Sequence, residues 1–312
     1  MNQEILFLEP VFQERIWGGT ALKDVFGYHI PSDKTGECWA ISAHPNGMGI
    51  IKNGQYQGKS LKELWDDHRE LFGGVEGKQF PLLTKILDAN DDLSVQVHPN
   101  DEYAFINENG ELGKTECWYI IDAQEDGELI FGHNALSQEE VRSMIEKGQW
   151  NEFLRRVKVK AGDFFNVPSG TVHALCKGTL ILETQQSSDT TYRLYDYDRR
   201  DDQGNLRELH LEKSIDVITA PHQEDQPEIT IANREGAQIT TYIQNDFFSV
   251  YKYEINGKAA FDQDQPFLLN SVLEGEGTLN GQPLKKGDHY ILPAGFGSYT
   301  LEGNLQIMAS HI

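Results

Sequence analysis

Residues 160–173 read KAGDFFNVPSGTVH, and residues 285–298 read KKGDHYILPAGFGS. Both stretches contain Lys-x-Gly-Asp, then four residues, then Pro-x-Gly, so they are two copies of a short internal repeat. The repeat predicts the same turn twice, with Asp163 and Asp288 in equivalent positions. The first copy ends in His173, whereas the second has Ser298 at that position. We therefore expect one active β-barrel and one structural β-barrel.

Much of the remaining chain has the pattern of short antiparallel strands. Segments rich in Val, Ile, Tyr, Phe and Leu alternate with glycines and Asn/Asp turns, which is typical of a barrel or a sandwich. Examples are Trp118–Asp122, Glu128–Phe131, Thr179–Glu183 and Phe248–Tyr253.

Helical spacing is confined to a few segments. Ser60–Phe72 has apolar residues at helix-like intervals, and Ser137–Leu154 begins with a possible capping box of Ser137 and Glu140. The polar, acidic stretch Pro221–Gln226 is predicted to be a linker or an exposed loop. It divides the chain into a catalytic domain, residues 1–225, and a C-terminal β domain without metal ligands, residues 226–312.

Four scattered side chains form a candidate metal site. Gln96 and His98 are two residues apart, so in a strand both side chains point to one face. With Glu116 and His173 the chain offers two imidazoles, one carboxylate and one amide oxygen, a plausible set for a divalent metal with room for water or substrate. Cys117 directly follows Glu116 and would point to the opposite face, so we interpret it as a core residue.

Composition narrows the classes of function. The chain has 312 residues, 38% of them apolar, and a net charge of −22. This charge argues against nucleic acids and anionic membranes as partners, since both require a basic surface. Neither a long apolar run nor a basic, apolar leader is visible, so we expect no membrane span and no signal peptide. Three cysteines, few and odd in number, favour reduced thiols and a cytoplasmic location.

The motifs resemble those of a known family. The spacing Gly162-x5-Pro168-x-Gly170-x2-His173 resembles the second motif of the cupin fold, which alone is a weak signal because that fold hosts many activities. The combination with Ser94-x-Gln96-x-His98 and Glu116 is narrower and resembles type I mannose-6-phosphate isomerases of the short bacterial class. Further stretches similar to that class are Arg15–Gly19, Gly36–Trp39 and Tyr192–Arg199.

The resemblance implies a mainly β fold of two cupin-type, jelly-roll barrels with a few helices and a metal site in the N-terminal barrel only. It implies one zinc ion per chain, held by Gln96, His98, Glu116 and His173. It also implies interconversion of mannose 6-phosphate and fructose 6-phosphate by proton transfer through an enediol. That reaction needs a proton-transfer group near C1 and C2, an electrophile for the oxyanion and a hold on the distant phosphate.

Further active-site positions follow from the resemblance. Arg193 is implied as an active-site arginine, with Lys114 and Glu183 as additional catalytic candidates. Ser94 and Asp189 are candidate substrate-binding residues beside Lys114 and Arg193, and Asp189 could orient Arg193 through a salt bridge.

Two other functions remain open from the sequence. Two histidines and a carboxylate also suit the iron of a cupin oxygenase, although an amide ligand would close a position that oxygen needs. A sugar-phosphate-binding protein without activity is the other alternative, but such a protein would be expected to have lost Lys114, Glu183 or Arg193.

Overall fold

A computed structural model of the protein describes residues 4–200 and 203–312. Residues 1–3, part of the N-terminal segment in which no signal peptide is expected, lie outside the described residues. The strands are β1 Leu6–Glu9, β2 Val11–Gly19, β3 Thr35–Ile41, β4 Ile50–Ile51, β5 Leu82–Ala89, β6 Val95–Val97, β7 Glu116–Ala123, β8 Glu128–His133, β9 Leu154–Lys158, β10 Phe164–Val167, β11 His173–Leu175, β12 Thr179–Gln186, β13 Tyr192–Tyr195, β14 Thr230–Arg234, β15 Ala237–Gln244, β16 Ser249–Gln263, β17 Phe267–Leu279, β18 Gln282–Lys285, β19 His289–Pro293 and β20 Gly297–His311. The α-helices are α1 Ala21–Phe26, α2 Leu61–Asp67, α3 Asp101–Asn107, α4 Gln138–Glu146, α5 Trp150–Phe153 and α6 Leu211–Val217, and 3-10 turns span Gly54–Tyr56 and Arg69–Phe72.

The strands form three antiparallel sheets, which confirms the predicted mainly β class. A six-stranded sheet has the order β10-β7-β12-β5-β3-β2, and a five-stranded sheet has the order β13-β6-β11-β8-β9. The nine-stranded sheet contains the C-terminal strands β14–β20 together with β1 and β4. The first strand therefore crosses the predicted boundary at residue 225, because β1 pairs with β19.

The sheets stack through separate apolar clusters. Trp118 and Ile181 of the six-stranded sheet share one cluster with Phe131 and Leu175 of the five-stranded sheet. The opposite face of the six-stranded sheet packs on the nine-stranded sheet. Helices α4–α6 cover the outer face of the five-stranded sheet. This stacking leaves the space between the six- and five-stranded sheets as the place where polar side chains of both can meet.

The predicted repeat forms the same turn twice. Asp163 Oδ2 accepts a hydrogen bond from the Lys160 N–H at 3.0 Å, and Asp288 Oδ2 accepts one from the Lys285 N–H at 2.9 Å. Gly162 and Gly287 have φ of 91° and 88°, a left-handed conformation that glycine adopts at little cost. The equivalence of the two copies is therefore confirmed at the level of hydrogen bonds.

The predicted strands are present, whereas the predicted helices are shorter than expected. Ser60 caps α2 in a full capping box with Glu63, but that helix ends at Asp67. The segment Ser137–Leu154 was expected to be one helix, and this is wrong: α4 ends at Glu146, α5 is a separate turn and Leu154 begins β9. The capping box there is half formed, since Ser137 accepts from the Glu140 N–H while the Glu140 carboxylate accepts from Leu136. No helix among the described residues has the length and apolar character needed to cross a membrane.

Candidate metal centre and active site

Strand register brings three predicted residues side by side on the five-stranded sheet. His173 on β11 lies opposite Gln96 on β6, and Gln96 lies opposite Arg193 on β13. The two-residue spacing places His98, just after β6, beside Gln96 on the same face. This row explains how residues that are distant in sequence can contribute to one site.

The six-stranded sheet supplies the facing wall. Glu116 begins β7, and the next residue on the same face, Trp118, lies opposite Glu183 of β12. Glu183 in turn lies opposite Lys85 of β5. The carboxylates and the lysine therefore project from neighbouring strands toward the histidines of the other sheet.

His98, Glu116 and His173 converge closely enough to bind one metal ion. One ligand atom from each lies within 4.8 Å of the others, and all three residues are buried. His98 Nε2 is 3.5 Å from Glu116 Oε2, and His173 Nε2 is 3.4 Å from Glu116 Oε1. The amide of Gln96 joins this group, with its nitrogen 3.2 Å from His173 Nε2. A rotation of that amide would turn its oxygen toward the same point.

Both histidines are oriented by backbone carbonyls. His98 Nδ1 donates to the Thr190 carbonyl at 2.9 Å, and His173 Nδ1 donates to the Thr171 carbonyl at 2.8 Å. Because a carbonyl can only accept, each neutral ring carries its proton on Nδ1 and leaves the Nε2 lone pair facing Glu116. This arrangement is usual for metal-ligating histidines.

Glu116 provides a test of whether a metal fits. Its side chain is fully buried, and neither carboxylate oxygen accepts a well-directed hydrogen bond, although Lys114 Nζ lies 2.9 Å from Oε2. A buried carboxylate without hydrogen bonds is costly unless it is ligated. The donor set of two neutral imidazoles and one carboxylate therefore suits a divalent cation.

Burial and mutual charge shift the pKa values of this group. Burial is the main cause that lowers the pKa of His98 well below its ordinary value and that of His173 to about 4, so both rings stay neutral at pH 7. Burial also raises the pKa of Glu183, and the nearby Glu116 carboxylate adds to that rise. Burial alone would lower the pKa of Lys114, but Glu116 and Glu183 outweigh it and raise the pKa.

A polar cavity of about 290 Å³ borders the metal cluster. Six of the nine predicted site residues line it, and the other three, His98, Glu116 and His173, form the cluster behind Gln96 and Lys114. The six are Ser94, Gln96, Lys114, Glu183, Asp189 and Arg193. The structure therefore brings all nine predicted positions into one region.

Two details differ from the sequence analysis or extend it. The predicted salt bridge between Asp189 and Arg193 is not formed within the described ranges. The Asp189 carboxylate instead accepts a hydrogen bond from the Asn46 amide at 2.8 Å. Arg193 Nη1 donates to the Glu208 carbonyl at 2.8 Å. Cys117 lies in the apolar core between sheets, which confirms its interpretation.

Among the charged residues that line the cavity, Lys85 and Arg207 lie outside every motif that the sequence analysis singles out. Lys85 is buried with its Nζ 3.6 Å from Glu183 Oε1, and a single lysine inside the apolar strand β5 was a signal that could have identified it. Arg207 lines the cavity while it binds Asp196 through Nε at 2.7 Å and also through Nη2. The residues on either side of Arg207 in the sequence are polar and charged, as in a solvated loop. No local pattern therefore marked Arg207 as a cavity residue.

Comparison with known proteins assigns the family. The model for "Phosphomannose isomerase type I, catalytic domain" matches residues 5–131, and that for "Mannose-6-phosphate isomerase, cupin domain" matches residues 238–312. The chain is 61% identical to the mannose-6-phosphate isomerase ManA of Bacillus subtilis over the full length of both. It is 54% identical to the mannose-6-phosphate isomerase of Streptococcus mutans, with 99% of this chain and 98% of that protein covered.

Solved structures agree with this assignment. A crystal structure of the mannose 6-phosphate isomerase from Bacillus subtilis superposes with a TM-score of 0.97 at 57% identity, covering 99% of each chain. A variant of phosphomannose isomerase from Salmonella typhimurium superposes with a TM-score of 0.79 at 16% identity, covering 98% of this chain and 99% of that one, which shows a shared fold. With two matching family models and high identity along its whole length, this chain belongs to the type I phosphomannose isomerases.

Proposed function

We propose that the protein is a metal-dependent aldose–ketose isomerase that interconverts mannose 6-phosphate and fructose 6-phosphate by proton transfer through an enediol. The convergence of His98, Glu116 and His173 at one end of a polar cavity that also contains Lys114 and Arg193 carries this proposal. The names of the relatives support the choice of sugar phosphate.

We propose zinc as the metal, one ion per chain, with Gln96, His98, Glu116 and His173 as its ligands. Two imidazoles, a carboxylate and a neutral amide oxygen suit zinc and leave a net charge of about +1 at the site. When bound, zinc supplies a Lewis acid that polarises the oxygens of the sugar.

Glu183 and Lys114 have complementary roles in the proposed chemistry. The raised pKa of Glu183 favours its protonated form more than an exposed glutamate would, which suits a group that accepts and returns the proton exchanged between C1 and C2. The raised pKa of Lys114 keeps its ammonium charged, so Lys114 is assigned to stabilising the developing oxyanion instead of acting as a base. Lys85, close to the Glu183 carboxylate, can balance its charge while it is deprotonated.

The phosphate is assigned to two arginines that line the cavity, Arg193 and Arg207. Arg193 has no carboxylate partner among the described residues, and its Nε is buried without a hydrogen bond. Arg199 and Arg207 share a single carboxylate, Asp196. Arg193 and Arg207 line the cavity and Arg199 does not, so the guanidinium groups of Arg193 and Arg207 are proposed to bind the phosphate monoester. Ser94 and Asp189 line the same cavity and are proposed to contact the sugar hydroxyls.

The proposed domain organisation follows the sheets except for β1 and β4, which precede residue 225 but belong to the nine-stranded sheet. We assign residues 1–225 to a catalytic cupin barrel built from the six- and five-stranded sheets, and residues 226–312 to a second barrel that binds no metal. The family model of the cupin domain at residues 238–312 supports the second unit. Within residues 4–200 and 203–312, no metal-binding cluster other than that of His98 was found. Three buried free cysteines support a cytoplasmic location.

A coupled assay tests the function. Purified protein is incubated with mannose 6-phosphate, and fructose 6-phosphate is measured before chelator treatment, after it and after zinc is restored. We expect turnover that is lost with the chelator and recovered with zinc. Absence of turnover in zinc-replete protein, or oxygen consumption with reduced iron in its place, would reject the isomerase assignment.

A further inference from the structure

The segment Glu208–His210, here called the return segment, holds Arg193 at three points. Arg193 is on β13, the edge strand of the five-stranded sheet, so one side of this strand has no strand partner. The return segment runs along that open side. The His210 N–H donates to the Arg193 carbonyl at 2.8 Å, and Arg193 Nη1 donates to the Glu208 carbonyl at 2.8 Å.

The third contact comes from an imidazole. The backbone N–H of Arg193 donates to His210 Nδ1 at 3.0 Å, so a side-chain nitrogen takes the position of the carbonyl that a neighbouring strand would offer. His210 directly precedes α6, yet its ring caps no N–H of that helix. The His210 ring therefore accepts a hydrogen bond from Arg193 and does not cap its own helix.

This contact requires one protonation and tautomeric state. A backbone N–H can only donate, so Nδ1 must present its lone pair and the ring must carry its single proton on Nε2. Nε2 lies 4.0 Å from the Glu208 carboxylate, which is compatible with a proton there. Burial lowers the pKa of His210, and the guanidinium of Arg193 and the ammonium of Lys213 lower it further, against the opposing effect of Glu208 and Glu108. The neutral form is thus the one favoured at pH 7.

The geometry points to His210 as a positioning residue for the isomerase: its neutral imidazole fixes the backbone of Arg193 and thereby aims the guanidinium into the cavity. This inference rests on the proposed function of Arg193 at the phosphosugar. His210 itself does not line the cavity, so it acts only through Arg193.

The first test replaces the acceptor and then restores it. Asn Oδ1 is attached to Cγ as His Nδ1 is, so His210→Asn keeps an acceptor at the same distance along the side chain, whereas His210→Ala removes it. We expect kcat/KM for mannose 6-phosphate to fall about tenfold in His210→Ala, because small misplacement of a positioned group is costly, and to return to within about threefold of wild type in His210→Asn. Metal content should be unchanged in both. His68→Ala, at a partly exposed histidine outside the cavity, is the matched control.

The second test asks whether His210 acts through Arg193. In an Arg193→Ala background, His210→Ala should reduce kcat/KM by less than about twofold, because the guanidinium that it positions is already absent. A residue with a merely structural role would cause the same loss in both backgrounds. Equal losses, or His210→Asn being as impaired as His210→Ala, would overturn the inference.

A readout independent of turnover separates this inference from the proposed function. Hydrogen exchange at the Arg193 amide, followed by mass spectrometry on a peptide covering residues 190–196, should be faster in His210→Ala and near normal in His210→Asn. Unchanged exchange in His210→Ala would contradict the positioning role whatever the kinetics are. If the wild type shows no turnover, the isomerase assignment fails and the exchange measurement alone decides the role of His210.

Discussion

At the scale of single residues, the unusual feature is a buried carboxylate whose oxygens accept no well-directed hydrogen bond. Glu116 is completely buried, and the nitrogen lone pairs of His98 and His173 face its oxygens. Lone pairs on three neighbouring groups repel one another, so the apo arrangement is unfavourable unless a cation or Lys114 balances it. Lys114, 2.9 Å from Glu116, can supply part of that charge before the metal binds.

The first prediction concerns the ligands. His98→Ala should lose both bound metal and isomerase activity. The substitution removes one of the two candidate imidazole ligands, whose ring is held by the Thr190 carbonyl so that Nε2 faces the cluster. Elemental analysis and the coupled assay measure the two losses. His133→Ala is the matched control, since His133 is also a buried histidine bonded to a backbone carbonyl, that of Thr219 at 2.9 Å, but lies outside the cluster. The control should keep its metal; a metal-replete, active His98→Ala protein would remove His98 from the ligand set.

The second prediction concerns the unpaired guanidinium. Arg193→Ala should retain its metal and lower kcat/KM by on the order of a hundredfold or more, as expected for loss of a charge partner of the substrate or the transition state. Steady-state kinetics with mannose 6-phosphate provide the measurement. Arg142→Ala, which removes an exposed arginine bound to Glu212, should change kcat/KM little. Near-normal turnover in Arg193→Ala would mean that another cation holds the substrate.

At the scale of elements, the two copies of the repeat differ in what surrounds their second glycine. Gly170 has φ of 85° and Gly295 has φ of 68°, so both turns use left-handed backbone. A Cβ on Gly170 would lie 2.4 Å from Thr219 Oγ1, whereas a Cβ on Gly295 would meet nothing within 4 Å. The Gly170 N–H also donates to the His98 carbonyl at 2.8 Å, which ties the turn before β11 to a candidate metal ligand.

The third prediction uses this matched pair. Gly295→Ala should cost only the backbone strain of an alanine at positive φ, about 1 kcal/mol. Gly170→Ala should cost at least about 1 kcal/mol more because of the added clash, and it should weaken metal binding through displacement of the turn. Urea denaturation and zinc titration measure the two effects. If both variants are destabilised equally, the structure accommodates the contact between the added Cβ and Thr219 at no cost in stability, and the prediction is wrong.

At the scale of the whole molecule, a buried polar contact joins the N-terminal residues to the C-terminal sheet. His289 on β19 contacts the Tyr28 hydroxyl through Nε2 at 2.7 Å and Ser271 Oγ through Nδ1 at 2.9 Å. Burial lowers the pKa of His289 to about 3. The ring is therefore neutral in the folded protein over the range in which an exposed histidine gains a proton.

The fourth prediction is a pH dependence of stability. Between about pH 6.5 and pH 3 the unfolded chain binds a proton at His289 that the folded protein does not, so stability falls as the pH falls through this window. The loss from this group between pH 7 and pH 5 should be about 2 kcal/mol. Urea denaturation at pH 7 and pH 5 measures the free energy of unfolding of both proteins. Its decrease from pH 7 to pH 5 should be smaller in His289→Asn than in wild type by about 2 kcal/mol. An identical decrease in both proteins would exclude His289 as the source.

The local sequence was sufficient for the repeated turn, the mainly β class and the shared face of Gln96 and His98. Each rests on short-range rules: left-handed glycines and Asp side chains define the turns, and a spacing of two puts Gln96 and His98 on one face of a strand. The long helix expected over Ser137–Leu154 was wrong because Gly148, with φ of 63°, ends α4 in the left-handed conformation, and Leu154 pairs with β8 instead of extending α5.

Other features were decided only by the tertiary structure. The neighbours of Arg193, the Asp196–Arg207 pair and the contact from His210 depend on how a polar segment returns to an open sheet edge. The partner of Asp189 likewise depends on Asn46, which is far away in sequence. Short-range rules govern which face a side chain takes, but which distant group it meets depends on the packing of whole sheets, and no local pattern encodes that packing.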